Sequence, residues 1–249
     1  MTSPRGFEPC CLKSFNWTGT PSGHEAKLAD NPTYITGSNS EAAVLIIHDG
    51  LGWRFKNNRL LADHFAKEAN VTVYMPDFFG GESLDFSLIK AGKWAELDME
   101  GFKARNSRSV REPEVFACVQ ALRDSGYKKI GAAGYCWGGW AVLRLATEKL
   151  VDCVVCAHPS MITEADFDGL NVPIMFLQPE HDAIFSDEMK LYAFKKLVLD
   201  KKSLPLEWVH FPGVSHGCLT KGDETIPGER EAMIKAKDRA VTWWREWLL

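Results

Sequence analysis

The decapeptide GAAGYCWGGW, Gly131–Trp140, sets one thiol, Cys136, two residues after a glycine and two and three residues before two more. A thiolate attacks carbonyl carbon readily. To do so usefully it needs exposure at a sharp turn, a base to take its proton, and donors for the charge that develops on the attacked oxygen. Glycine costs conformational entropy, so a cluster around one cysteine marks backbone that passes where side chains would not fit. Gly134-Tyr135-Cys136-Trp137-Gly138 is the G-x-S-x-G nucleophile-elbow pattern with cysteine in place of serine. Such a site takes its members in the chain order nucleophile, acid, histidine. Asp182 in QPEHD and His216 in VSHG supply that order. Singly, each has a plainer reading: a small buried hydrophobe, a helix N-cap, a loop histidine. Together, and each just past an apolar run, they make chance a poor explanation.

The runs that must position them are short, rich in β-branched residues and followed by turn residues: 43–48, 71–75, 128–134, 152–157, 173–177 and 206–211. Nearly continuous apolar character of this kind predicts strands buried on both faces of a parallel sheet. Between them, 58–69, 112–126, 140–149, 187–200 and 229–249 carry helical patterns. In the second, Val115, Val119 and Leu122 recur at i, i+4 and i+7, and Gly126 supplies a stop. Strand and helix alternate, which is the pattern of a doubly wound α/β sheet. Thr33–Thr36 reads as a strand adding antiparallel edge pairing. No linker, repeat or low-complexity segment appears, so residues 1–249 are expected to form a single domain. Cys136 then falls where a strand ends and a helix begins, above the carboxyl edge of the sheet where open α/β folds bind ligands.

Composition narrows the partners. The chain has 249 residues, 45% hydrophobic and 25% charged, with a net charge of −4. That balance suits a soluble globular protein and argues against nucleic acid or an anionic membrane surface as partner. No apolar run reaches the ~20 residues needed to span a bilayer. The N-terminus MTSPRGFEPCCLKSF lacks the apolar core of a secretory signal. Seven cysteines is an odd number. Cys153 and Cys156 are three apart on an expected strand and so point to opposite faces, which speaks against a metal clip. Cys10-Cys11 reads as two ordinary thiols, because a disulfide between neighbours is strained. A reducing, cytoplasmic setting is expected, with no cofactor and no metal. Trp243, Trp244 and Trp247 on the last helix are expected to pack it on the sheet; exposed parts could make a dimer contact, so monomer or homodimer stays open.

GYCWGG, PEHD and VSHG resemble the dienelactone hydrolase (carboxymethylenebutenolidase) family of α/β-hydrolases. HDGLGW (48–53) and VYMPDFFGG (73–81) are similar to that family's acid-x-x-Gly turn and its Pro-Asp strand exit. The similarity runs from about residue 40 to the C-terminus, and the earlier residues also look like fungal-type members. The resemblance implies an α/β-hydrolase fold and a cysteine-dependent hydrolase of a small ester or lactone. It implies Cys136 as nucleophile, His216 as general base and acid, and Asp182 as the carboxylate orienting the imidazole. The oxyanion hole would be the backbone N–H groups of Trp137 and Gly50. Asp49 matches a family glutamate that contacts the resting thiol and gates it, but is one methylene shorter; a turn-stabilising aspartate is the alternative.

The pattern thins around the substrate. No arginine closely follows His216; Lys221 could supply a point charge, and Arg105 or Arg108 could contribute from GFKARNSRSV, although solvation on the surface is the commoner fate. His158, after the strand 152–157, is expected to face the pocket and contact substrate, or to be an ordinary strand-end histidine. Phe78, Phe79, Trp53 and Trp137 are expected to form an apolar wall. Ser160 is a rival nucleophile without an elbow. Two other functions stay open at this level: hydrolysis of a thioester or release of an acyl group in a biosynthetic pathway, and a non-catalytic binding module on the same fold.

Overall fold

The structure is a computed structural model and describes residues 19–200 and 203–249. Cys10 and Cys11 lie outside the described residues. Eight strands form one sheet: β1 (His24–Leu28), β2 (Asn31–Thr36), β3 (Ala42–Ile47), β4 (Thr72–Pro76), β5 (Lys129–Tyr135), β6 (Cys153–Ala157), β7 (Ile174–His181) and β8 (Leu206–Ser215). Their spatial order is β1-β2-β4-β3-β5-β6-β7-β8. β1 and β2 add to β4 antiparallel, as the residues around Thr33–Thr36 suggested, and every later pairing is parallel.

The inner parallel strands are continuous in apolar character because both faces are covered, whereas β8, at the edge of the sheet, is mostly half-buried or exposed, a correction to the expectation for 206–211. Every residue of β3 and of β6 is buried. On one face Val44, Ile46, Ala133, Cys153 and Val155 meet helices α1 (Lys56–Ala69) and α5 (Glu229–Leu248). On the other, Ala43, Leu45, Ala132, Val154 and Cys156 meet α2 (Arg108–Asp124), α3 (Gly138–Thr147) and α4 (Asp187–Phe194), the labels being given to the five longer helices. Cys153 and Cys156 thus enter opposite cores, as the period of two requires. Trp244 is fully buried on α5 and lies over Gly131 of β5, where a Cβ would come within 2.8 Å of the indole. A strand glycine costs roughly 0.5–1 kcal/mol. Burying an indole of 150–250 Å² gains about 4–6 kcal/mol at ~25 cal/mol/Å², so the packing decides the residue.

Residues 86–105, between β4 and α2, form short helices at Phe86–Lys90 and Met99–Arg105, with a 3₁₀ turn at Trp94–Glu96. They carry no long periodic stripe, and the sequence patterns above did not mark them. Among the described residues no helix is long and apolar enough to cross a membrane.

The turn from β5 into α3 explains the glycines around Cys136. None of Gly134, Gly138 and Gly139 has positive φ. Each is forced by close approach: a Cβ on Gly134 would strike the Gly138 carbonyl, one on Gly138 the Ile47 carbonyl of β3, and one on Gly139 the ring of Pro159. Gly138→Ala is therefore expected to lose about 1–3 kcal/mol through overpacking, read as a lower urea midpoint at unchanged m-value. A wild-type midpoint would show that α3 does not start in contact with β3.

Candidate active site

Cys136 is the residue at which β5 reverses into α3, and it carries a left-handed backbone with φ +48°. That conformation costs a non-glycine residue on the order of 1–3 kcal/mol and must be held. Its N–H donates to Ala157 O of β6 at 3.1 Å, and its carbonyl accepts from Gly139 N–H at 3.0 Å and Ser160 N–H at 2.8 Å. Among the described cysteines Cys136 alone is not buried. Burial pushes the thiols of Cys118, Cys153, Cys156 and Cys218 up, so those four stay protonated and inert. The Cys136 thiol donates to the Ser160 hydroxyl at 3.8 Å.

The last two strands deliver the other pair. Asp182 follows β7 and His216 follows β8, and His216 N–H donates to His181 O at 3.0 Å, which locks the two strand ends together. His216 Nδ1 lies 2.9 Å from both oxygens of Asp182. Asp182 Oδ1 also accepts the backbone N–H groups of Ile184 and Phe185, each at 2.9 Å. Its side chain is fully buried. Burial alone would raise this carboxyl, but the bond to His216 and the charges and amides around it hold it below its ordinary value. An ionised Asp182 accepts from Nδ1–H, which leaves Nε2 as the basic atom of the ring. Nε2 is buried and has no hydrogen-bond partner among the described residues. For the imidazole, burial acts downward and is outweighed by the negative charge of Cys136 and by Asp182, so its pKa is pushed up to about 10.

The third element is the turn after β3. Gly50 lines the same hollow as Cys136 and His216. Its carbonyl accepts Leu84 N–H at 2.7 Å, and a Cβ there would meet Leu84 Cδ1 at 2.7 Å. His48, fully buried, bridges this turn to the exit of β4: its Nδ1 contacts Asp49 O at 2.9 Å and its Nε2 accepts Phe78 N–H at 3.2 Å. Trp137 is the N-cap of α3, so its N–H is among those that a helix leaves without an intrahelical partner. Asp49 is the turn-stabilising aspartate of the two alternatives. Its carboxylate accepts from Leu51 N–H at 3.0 Å, Asn58 Nδ2 at 3.1 Å and Thr220 Oγ1 at 2.7 Å. The thiol is not among these donors, so the gating contact implied by the resemblance is not made: the shorter side chain is taken up by its own turn.

A cavity of ≈ 160 Å³ opens at the sulfur, lined by Leu51, Leu84, Ile89, Met99 and Ile184 around Asp49, Gly50, Cys136, His216, Gly217 and Lys221. The apolar wall is therefore not the expected aromatic one. Trp53, Phe78, Phe79 and Trp137 are buried behind it, and the Trp137 indole N–H donates to Asn106 O at 2.9 Å. Neither arginine lines the cavity: Arg105 pairs with Glu82 at 2.5 Å and Asp98 at 3.1 Å, and Arg108 holds Asp166 at 2.6 and 2.8 Å. Lys221 does line the cavity, with its ammonium 3.7 Å from the buried Glu229. His158 is a further correction. It is fully buried and does not line the cavity; its ring lies against that of His216. The residues that sequence reasoning passed over are Asn58, Thr220 and His48, which tie the Asp49 turn, and Leu84, Ile89 and Met99, which form the wall. Their signal was weak because each acts through a contact distant in the chain.

The comparisons agree with this architecture. A profile of the dienelactone hydrolase family matches residues 32–248. Hydrolase tropI of Talaromyces stipitatus is 31% identical over 97% of this chain and 96% of its own length. A carboxymethylenebutenolidase homolog of Rattus norvegicus is 28% identical over 91% of both chains. Among solved structures, a putative dienelactone hydrolase from Klebsiella pneumoniae superposes with a TM-score of 0.68 at 16% identity, covering 90% of this chain and 98% of that one. A dienelactone hydrolase from Anabaena variabilis gives 0.65 at 16%, covering 91% and 97%.

The raised pKa of His216 has a signed consequence. Below about pH 6.5 the imidazole is protonated whether the chain is folded or not, and the interaction with its neighbours stabilises the fold fully; the gain is lost as pH rises through about 10. Cys136→Ala removes the charge but leaves Asp182. The His216 titration, followed by NMR of the imidazole, is expected to fall from about 10 while staying coupled to Asp182. An unshifted titration would show that the sulfur does not act on the ring.

Proposed function

The chain belongs to the dienelactone hydrolase family, and from that premise we propose that it hydrolyses a small ester or lactone through a covalent thioester on Cys136. One observation carries this reading: a half-exposed thiol on a left-handed strand-to-helix corner shares a cavity with an imidazole whose Nδ1 is tied to a buried carboxylate.

The chemistry follows from the arrangement. The thiol leaves Ser160 and passes its proton to His216 Nε2, and the thiolate–imidazolium pair so formed is the state in which the charge of Cys136 holds the imidazole pKa up at about 10. The sulfur attacks the carbonyl carbon, and the oxygen takes up negative charge facing the N–H groups of Trp137 and Gly50. The C–O bond then breaks, and the leaving oxygen takes the proton from the imidazolium. A thioester remains. Water gives a proton to Nε2 and attacks the same carbon, the C–S bond breaks with the pair going to sulfur, the sulfur takes the proton back from Nε2, and the carboxylic acid leaves. Thiolate is a better leaving group than an amine, so the tetrahedral adduct of an amide would mostly revert; esters and lactones with stabilised leaving oxygens suit a sulfur nucleophile. The aliphatic wall of Leu51, Leu84, Ile89 and Met99 supports an uncharged hydrocarbon portion on the substrate. The relatives' names point the same way for the reaction.

Hydrolysis of p-nitrophenyl acetate is expected to be lost in Cys136→Ala and after alkylation of Cys136 by iodoacetamide. Asp182→Asn is expected to keep the fold and lose up to ~10⁴-fold in kcat, through the wrong imidazole tautomer. Turnover that survives complete alkylation would end the covalent reading. Between acetate and butyrate esters kcat/KM is expected to rise by up to ~4-fold per methylene, the value of ~0.8 kcal/mol per buried CH₂. A flat or falling series would remove the aliphatic wall from the binding site.

A further inference from the structure

His158 has no part in the proton transfers described above, yet it is packed against the ring of His216. It is fully buried, and neither ring nitrogen has a hydrogen-bond partner among the described residues. Its ring centroid lies 4.9 Å from that of His216 with the planes tilted by 58°, inside the range in which aromatic faces and edges touch. Its backbone is left-handed, with φ +35°, directly after β6. That bend brings Pro159 over Gly139, and two residues further on the Ser160 N–H bonds the Cys136 carbonyl at 2.8 Å. The residue touching the imidazole is thus anchored to the residue carrying the sulfur.

The His216 ring needs such a stop. Asp182 grips it at one atom, and grips it symmetrically, with both oxygens 2.9 Å from Nδ1. With Cγ tied covalently and the adjacent Nδ1 held by Asp182, the ring can still tip about that edge, and Nε2, the atom across the ring from it, moves most. We propose that His158 is a positioning residue whose ring limits the swing of His216 and so sets the distance from Nε2 to the Cys136 sulfur. The role belongs to the flat face and not to the nitrogens. Burial, and next the neighbouring His216 charge, push the His158 pKa down to about 3. It therefore carries no proton charge near neutrality and does not compete for the thiol proton. This inference rests on the covalent reading of Cys136 for its kinetic arm only.

Two substitutions separate the face from the nitrogens. His158→Phe keeps a ring and removes both nitrogens; His158→Ala removes the ring. In the alanine variant kcat for p-nitrophenyl acetate is expected to fall ~10–100-fold, the penalty of misplacing a reacting group by about an ångström, with KM changed less than ~2-fold. The phenylalanine variant is expected to recover most of that loss. The NMR signal of the His216 Nδ1 proton, assigned by its disappearance in His216→Gln, is expected to stay sharp in the phenylalanine variant and to broaden or vanish in the alanine one. Equal loss in both variants would assign the role to the nitrogens and overturn the proposal. So would an alanine variant with wild-type kcat and a sharp signal. Should the alanine variant not fold, His158→Leu, which refills the volume without a flat face, takes its place with the same two outcomes. If Cys136→Ala keeps its hydrolytic activity, the covalent reading fails by itself, and the Nδ1 proton signal, which needs no turnover, still decides the role of His158.

Discussion

Three backbone segments crowd together at one corner with no room for a Cβ. The start of α3 presses on the carbonyl of β3, the end of β5 presses on the start of α3, and the loop after β6 closes over Gly139. The rest of the site depends on this. It forces the left-handed turn onto Cys136 and places that residue's carbonyl where two amides can hold it. Strain at one residue, on the order of 1–3 kcal/mol, is offset by three backbone hydrogen bonds at roughly 0.5–1.5 kcal/mol each. The sum is near balance, so the turn is stable only while its neighbours remain packed. The sulfur is exposed by the sheet and not by a loop.

Charge at the site is arranged by depth. The carboxylate of Asp182 is fully buried, amide-bonded and ionised, while the imidazole above it, its pKa raised, and the thiol are both half-buried. A buried carboxylate with no partner would be costly, so the two amides of Ile184 and Phe185 matter as much to Asp182 as the imidazole does. The second carboxylate, Asp49, sits beside the same cavity but is satisfied by its own turn. Two acids close together are in this way given separate work, one electrostatic and one architectural.

Much of this was legible in the sequence, and the reason differs by element. The inner parallel strands announce themselves because burial on both faces leaves a continuous apolar run; Cys136 and Asp182 follow such runs, while His216 follows the half-buried edge strand β8. The backbone amides of Gly50 and Trp137 were expected as an oxyanion hole from the family resemblance, since a backbone N–H leaves no mark on residue type. The errors share a cause. Phe78, Phe79, Trp53 and Trp137 are large and near the site in sequence, but aromatic size favours burial in the core, and smaller aliphatic residues from 84–99 reach the cavity instead. His158 stands at a strand end, as a substrate-facing residue would, but its left-handed φ turns the chain over α3. Asp49 has the right position for a gate, and only the distant Thr220 and the helical Asn58 reveal that its oxygens are occupied. Contacts 9 and 171 residues apart leave no periodic trace.

The segment from Glu82 to Asn106 is closed on itself. Arg105 binds Glu82 near its beginning and Asp98 within it, while Asn106 reaches back to Glu82 at 3.3 Å. Leu84, Ile89 and Met99 all belong to this closed stretch, whereas Cys136, Asp182 and His216 belong to the ends of sheet strands. Under the proposed chemistry much of the wall and the reacting groups thus belong to separate parts of the chain, Leu51 and Ile184 being the wall residues outside the stretch. Under that chemistry, exchanging Ile89 or Met99 alters which compound fits while Cys136, Asp182 and His216 keep their places, so descendants of this protein can diversify in diet without relearning their chemistry.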